Sequence, residues 1–186
     1  MGKYRKILWG IRAILYKFLL KKISLPSYIG KPIYISGYKK IRLGKYVRIY
    51  PGLRIECYEN GKIEIEDDVA IGQNLHITSG VGIKIGKRVT ISGNVLITDV
   101  DHTYEEIGTH IMEQRLIMKE TIIGENSFIG YGVVIQAGTK LGKQCIVGAN
   151  SFLKGEYPDY SVIAGSPAKV IKKYNKETKK WEKIKE

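Results

Sequence analysis

From Leu43 to Leu153 an aliphatic residue returns every six positions, often with a glycine directly after it. The longest run is Ile123, Ile129, Ile135, Leu141, Val147 and Leu153, with glycine after Ile123, Ile129, Leu141 and Val147. Three shorter runs keep the same step: Leu43, Ile49 and Ile55; Ile65, Ile71 and Ile77; Ile85, Ile91 and Ile97. A helix of period 3.6 and a strand of period 2 both fail to generate this pattern. A sandwich of strands of varied length does not hold a fixed six-residue phase either.

A six-residue unit is too small to bury its own apolar side chain, so successive units must stack and share one interior. Three units make one triangular coil. Slim residues stand four places after the aliphatic one (Val89, Val95, Ser127, Val133, Thr139, Cys145, Ser151), which suits a narrow prism. The glycines are expected to turn its corners. Cys57 and Cys145 lie far apart, and the repeat assigns Cys145 to the interior, so a disulfide framework is not expected and a reducing cytoplasm is.

Two further segments accompany the repeat: Ile97-Thr-Asp-Val-Asp-His-Thr-Tyr104 and Ser161-Val-Ile-Ala-Gly-Ser-Pro-Ala-Lys-Val-Ile171. With them, residues 41–172 resemble the hexapeptide-repeat acyltransferases, an all-β family built as a left-handed parallel β-helix. Within it the chain is most similar to the branch that O-acetylates sugars of bacterial surface polysaccharides. The left hand is what the resemblance implies, because parallel crossovers are normally right-handed. The resemblance further implies acetyl-CoA as acyl donor, no metal, and a homotrimer with active sites between neighbouring prisms.

The phase breaks between Ile97 and Ile123, so residues 98–121 leave the prism as a loop, a preferred place for function on a rigid scaffold. His102 stands where that loop departs and falls on the family's catalytic histidine. An imidazole with an ordinary pKa near 6.5 can accept the proton of a sugar hydroxyl attacking a thioester. Asp99 and Asp101 are candidates to hold its second ring nitrogen. Tyr104, Glu105 and Arg115 are candidate acceptor contacts on the loop, and His110 reads as a surface residue. By match to the family, Tyr131, Ala149 and Lys154 border the pantetheine arm, and Lys169 and Lys172 stand near the nucleotide phosphates. The galactoside acetyltransferases of this family hold the acceptor with side chains that match Gly72 and Gly80 here, so that sugar pocket is not reproduced.

The net charge of +13 belongs to the ends. Residues 1–24 carry seven Lys or Arg and no acid, residues 166–186 carry eight Lys and three Glu, and the 141 residues between them are nearly neutral. A nucleic-acid binder would spread basic residues over a folded face and interleave aromatics, so nucleic acid is not an expected partner. Residues 1–24 are expected to form an amphipathic helix. Ile7, Leu8, Ile11, Ile14, Leu15, Phe18 and Leu19 fall in one arc of about 140°, and Arg12 and Lys17 interrupt the run short of the roughly 20 apolar residues of a membrane span. No Ala-x-Ala-like site follows, so a secretory signal is not expected. Two readings stand: a helix lying on an anionic membrane surface, or one covering the open end of the prism. Residues 25–165 then form the catalytic domain, and residues 166–186 a basic tail that Ser166 and Pro167 are expected to open as a short helix.

Other chemistries are weighed beside this one. Transfer to an amino-sugar nitrogen is the near alternative. A zinc-dependent γ-type carbonic anhydrase would share the fold but needs three suitably spaced histidines, and His76, His102 and His110 do not match that spacing. A non-catalytic β-helix scaffold would make His102 dispensable.

Overall fold

In the computed structural model, which describes residues 3–58 and 60–184, the chain forms a parallel β solenoid of seven coils behind one helix. The rungs are short, most of two or three residues, and they stack into three flat faces. The first face stacks residues 22–23, 41–43, 63–65, 83–85, 121–123, 140–141 and 156–157. The second face runs from residues 28–29 to 161–165, and the third from 34–35 to 152–153.

Each six-residue step lands one aliphatic side chain inside a face. Ile29, Ile49, Ile71, Ile91, Ile129, Val147 and Ile163 form the inward column of the second face, all buried. The slim residues four places on are buried too, from Val89 and Val95 to Cys145 and Ser151. The register is strict because a slip of one residue would turn the whole column to solvent. The solenoid starts earlier than the repeat suggested: Ile23, Ile29 and Ile35 already make a complete coil.

Turning and stacking are divided between two positions of the unit. The left-handed backbone falls three places after the buried aliphatic residue, at Asn74, Asn94, Asn126 and Asn150, and also at Tyr46, Arg88 and Gln144, while Tyr160 takes it three places after the buried Tyr157. Asparagine tolerates that region well, and Gly132 and Gly138 take it where asparagine does not. The glycine directly after the aliphatic residue serves close approach instead. A Cβ on Gly72 would stand 2.6 Å from the Ser92 carbonyl carbon of the next coil.

The helix α1 (Lys3–Tyr16) is shorter than the segment read as helical, and Lys22–Ile23 already belongs to the first face. It covers the open first coil with a narrow face of Trp9, Ala13 and Tyr16. Trp9 packs against Tyr28 and Tyr50 at 5.7 and 5.5 Å between ring centroids, and Arg12 donates to the Ile29 carbonyl at 2.9 Å. Ile7, Leu8, Ile11, Ile14 and Leu15 of its broad apolar arc stay exposed, as do Phe18 and Leu19 in the turn that follows it.

The tail departs from expectation. Residues 168–175 run antiparallel to residues 161–165 and pair in turn with residues 180–183, so the end is a β-hairpin and no helix. The reason lies in Ala168-Lys-Val-Ile-Lys-Lys-Tyr174, whose alternation of half-buried and exposed side chains fits a strand added to an open sheet edge.

Candidate active site

The third face feeds the loop. Residues 96–98 are its fourth rung, and the buried Thr98 locks the exit: its hydroxyl donates to the Val100 carbonyl and accepts from the Val100 N–H, both at 3.0 Å. Residues 100–102 then pair antiparallel with residues 116–118, placing His102 opposite Leu116. Thr103 extends this stem by donating its N–H to the Arg115 carbonyl at 2.9 Å. The loop is therefore a hairpin projecting from the prism, with His102 on its rigid stem.

Asp99 serves a purpose other than the one expected of it. It is fully buried, and its carboxyl oxygens accept from the Ser79 hydroxyl at 2.8 Å and from the N–H groups of Gly80, Val81 and Gly82 at 2.5, 3.2 and 2.6 Å. It ties the root of the hairpin to the corner of the coil below. Asp101 accepts from the His102 N–H at 3.0 Å and faces the Lys154 ammonium at 3.5 Å. Neither carboxyl group is hydrogen-bonded to the imidazole. The Nδ1 atom of His102 is the buried side-chain polar atom left without a hydrogen-bond partner among the described residues.

Tyr104, Glu105 and Arg115 occupy the exposed outer part of the hairpin, where the Glu105 side chain accepts from the Tyr104 N–H. His110 caps a short turn, accepting from the Met112 N–H at 3.2 Å. Gln114, which sequence reasoning passed over, organises the tip: it donates to the carbonyls of Glu106 and Thr109 and accepts from the Glu106 N–H. A glutamine in a polar loop carries no sequence signal of that role.

The outward column of the third face changes character at the hairpin. Register aligns Tyr34, Arg54, His76, Leu96, Val134 and Phe152, so the coils before the exit present aromatic and polar groups and those after it present apolar ones. The apolar part is flanked by Tyr131 and Ala149 at one corner and by Lys154 at the other. Tyr131 accepts a hydrogen bond from Asn94, and Lys169 and Lys172 stand farther along on the closing hairpin. Burial raises the pKa of both thiols, Cys57 and Cys145, which disfavours the nucleophilic thiolate. Among the described residues no three His, Cys, Asp or Glu side chains are grouped to hold a metal ion.

Residues 120–155 match the family model for bacterial transferase hexapeptide (six repeats), and residues 62–99 match that for the hexapeptide repeat of succinyl-transferase. A relative from Escherichia coli (strain K12), "Putative lipopolysaccharide biosynthesis O-acetyl transferase WbbJ", is 35% identical over 159 residues, which are 82% of this chain and 81% of the relative. "Probable acetyltransferase Rv3034c" from Mycobacterium tuberculosis is 31% identical over 148 residues, 78% of this chain and 49% of its own length. Among solved structures, a point mutant of AntD, an N-acyltransferase from Bacillus cereus in complex with dTDP and coenzyme A, aligns at a TM-score of 0.77. That alignment covers 89% of this chain and 90% of the other at 19% identity, which establishes the shared fold.

Proposed function

This chain belongs to the hexapeptide-repeat acetyltransferase family and is an acyltransferase; from that premise we propose that it carries acetyl from acetyl-CoA to a sugar hydroxyl of a surface polysaccharide or lipid-linked glycan. The observation that carries this reading is the position of His102, on a rigid stem where the third face passes from polar to apolar. The relative from Escherichia coli favours oxygen over nitrogen as the acceptor atom.

In the proposed reaction the imidazole of His102 takes the hydroxyl proton as the oxygen attacks the thioester carbonyl. The tetrahedral intermediate collapses, the C–S bond breaks, and the imidazolium returns the proton to the departing coenzyme A thiolate. For Nε2 to act as base, Nδ1 must carry the hydrogen and find an acceptor. Among the described residues that atom is buried without one, so it gains its acceptor by a turn of the ring in the working enzyme, which we read as a homotrimer with the hairpin at the contact between copies. The exposed apolar side chains Ile107, Ile111 and Met112 at the hairpin tip suit the same contact. The donor would lie along Leu96, Val134 and Phe152, with Lys154 beside its pantetheine arm and Lys169 and Lys172 as point charges for its phosphates.

The helix suits peripheral attachment on the cytoplasmic face of a membrane. No helix among the described residues is long and apolar enough to cross one. Arg5 and Lys6 lie on α1 and Lys17, Lys21 and Lys22 follow it in the sequence, and each basic residue near an anionic surface contributes about 1 kcal/mol.

Two experiments test these readings. His102→Ala is expected to lower acetyl transfer by about 10²-fold or more while leaving the sedimentation of the assembly unchanged. Thiol release from acetyl-CoA across sugars, amino sugars and nucleotide sugars reads out that variant, and undiminished turnover overturns the role given to His102. Deletion of residues 1–21 is expected to release the protein from vesicles containing phosphatidylglycerol; retained binding rejects the membrane role.

A further inference from the structure

The polar half of the third face holds a groove that the chemistry at His102 does not itself require. It is an open, shallow groove of about 550 Å³ lined by Ile33, Tyr34, Ser36, Arg54, Glu56 and Tyr58, a size within the range of about 300–1,000 Å³ for small-molecule sites. Tyr34 and Tyr58 are half exposed. Arg54 lies over the Tyr34 ring at 5.6 Å and forms a two-nitrogen fork on Glu56, through Nε at 2.9 Å and Nη2. Glu56 also faces the His76 ring at 3.8 Å, and Thr78 lies 3.3 Å from the same ring nitrogen.

This chemistry fits a carbohydrate. Exposed tyrosine rings offer faces to the apolar side of a sugar ring. A guanidinium and a carboxylate fixed on each other present donors and acceptors in one plane, as a ring of hydroxyls requires. A phosphate would prefer an Arg free of a carboxylate partner, and here Arg54 is already paired. The groove also lies on the same column as the exit of the hairpin. Register carries Tyr34 to Arg54, Arg54 to His76 and His76 to Leu96, three rungs at about 4.8 Å each. A single sugar at His102 does not reach Tyr34, whereas a glycan of several residues does.

We propose that the groove of Tyr34, Arg54, Glu56 and Tyr58 is a distal subsite for an extended saccharide acceptor, whose near sugar is acetylated at His102. The inference rests on the sugar O-acetyltransferase reading and names the acceptor class within it, an oligosaccharide or polymer rather than a free monosaccharide or nucleotide sugar.

The test uses the full chain, acetyl-CoA, and mono- to tetrasaccharide fragments of bacterial surface polysaccharides freed of their ester groups by mild base. The expected result is a kcat/KM that rises with length by about 10-fold or more from mono- to tetrasaccharide in the wild type. Arg54→Ala and, as a second exposed change, Tyr34→Ala flatten that rise by raising KM for the longer fragments. Both leave monosaccharide turnover and the KM for acetyl-CoA unchanged, which a merely unfolded variant would not do. Tyr34→Phe keeps the length dependence. Equal rates at all lengths, or losses in the two alanine variants that are the same for short and long acceptors, overturn the inference and leave the proposed activity standing. Transfer to none of the saccharides overturns both.

Discussion

Asp99 shows how one buried side chain holds the hairpin that carries His102 in place without a hydrogen bond to the imidazole. Its two carboxyl oxygens accept from one hydroxyl and three N–H groups of residues 79–82, in full burial. Replacing it with asparagine keeps the size but turns an amide N–H₂ toward donors. Each buried group so orphaned costs about 1–3 kcal/mol. Asp99→Asn is therefore expected to lower the midpoint of thermal unfolding and to lower kcat, with the KM for acetyl-CoA unchanged. Calorimetry and initial rates on one preparation check both, and a variant of native stability rejects the tether. The position of His102 at the exit of the hairpin was legible in the sequence because counting in sixes ends at Ile97 and leaves it at the break. The use of Asp99 was not, because its partners lie 17 to 20 residues earlier and become neighbours only once the coils stack.

The turn of each coil is an element with its own rule, one left-handed residue three places after the buried aliphatic. Asparagine meets the rule at four of these positions, whereas Arg88 adopts φ of 56° without the short polar side chain that eases it. Its N–H donates to the Asp67 carbonyl at 2.9 Å, a bond any residue keeps. Arg88→Asn is expected to stabilise the protein by up to about 1 kcal/mol. Denaturant unfolding at matched slope reads the change, and a loss of stability would show that the arginine side chain contributes more than its backbone conformation takes away. The asparagine spacing was present in the sequence, but the glycine next to the aliphatic residue drew the turning role to itself. Helix α1 was half legible for a similar reason. The arc of seven aliphatic and aromatic residues read in residues 7–19 is wide and runs past the end of α1, and the face that docks, Trp9, Ala13 and Tyr16, is narrow and lies outside it. The tail was misread because the Ser-Pro pair suggested a helix start, while the unpaired edge of residues 161–165 selected a strand.

At the scale of the molecule, the interior is one continuous stack closed at one end by α1 and at the other by a hairpin that reverses strand direction. Both cysteines belong to this stack, and burial holds their pKa above the ordinary value of 9.0. Native protein at pH 8 is therefore expected to react with iodoacetamide far more slowly than unfolded protein, so that labelling of Cys57 and Cys145 tracks global opening. The sign for stability follows. The folded thiols stay protonated where unfolded ones begin to ionise, so their effect on stability is steady below about pH 8 and turns against the fold as pH rises through 9. Mass spectrometry of the two peptides across denaturant checks the first, and unfolding midpoints from pH 7 to 10 check the second.

Because α1 sits under the first coil and His102 leaves the fourth, the stack between them fixes a height. A helix lying on a lipid surface would hold the chemistry a set number of rungs above it, and the count of coils, more than any single contact, would decide which hydroxyl along a membrane-tethered glycan comes level with the imidazole.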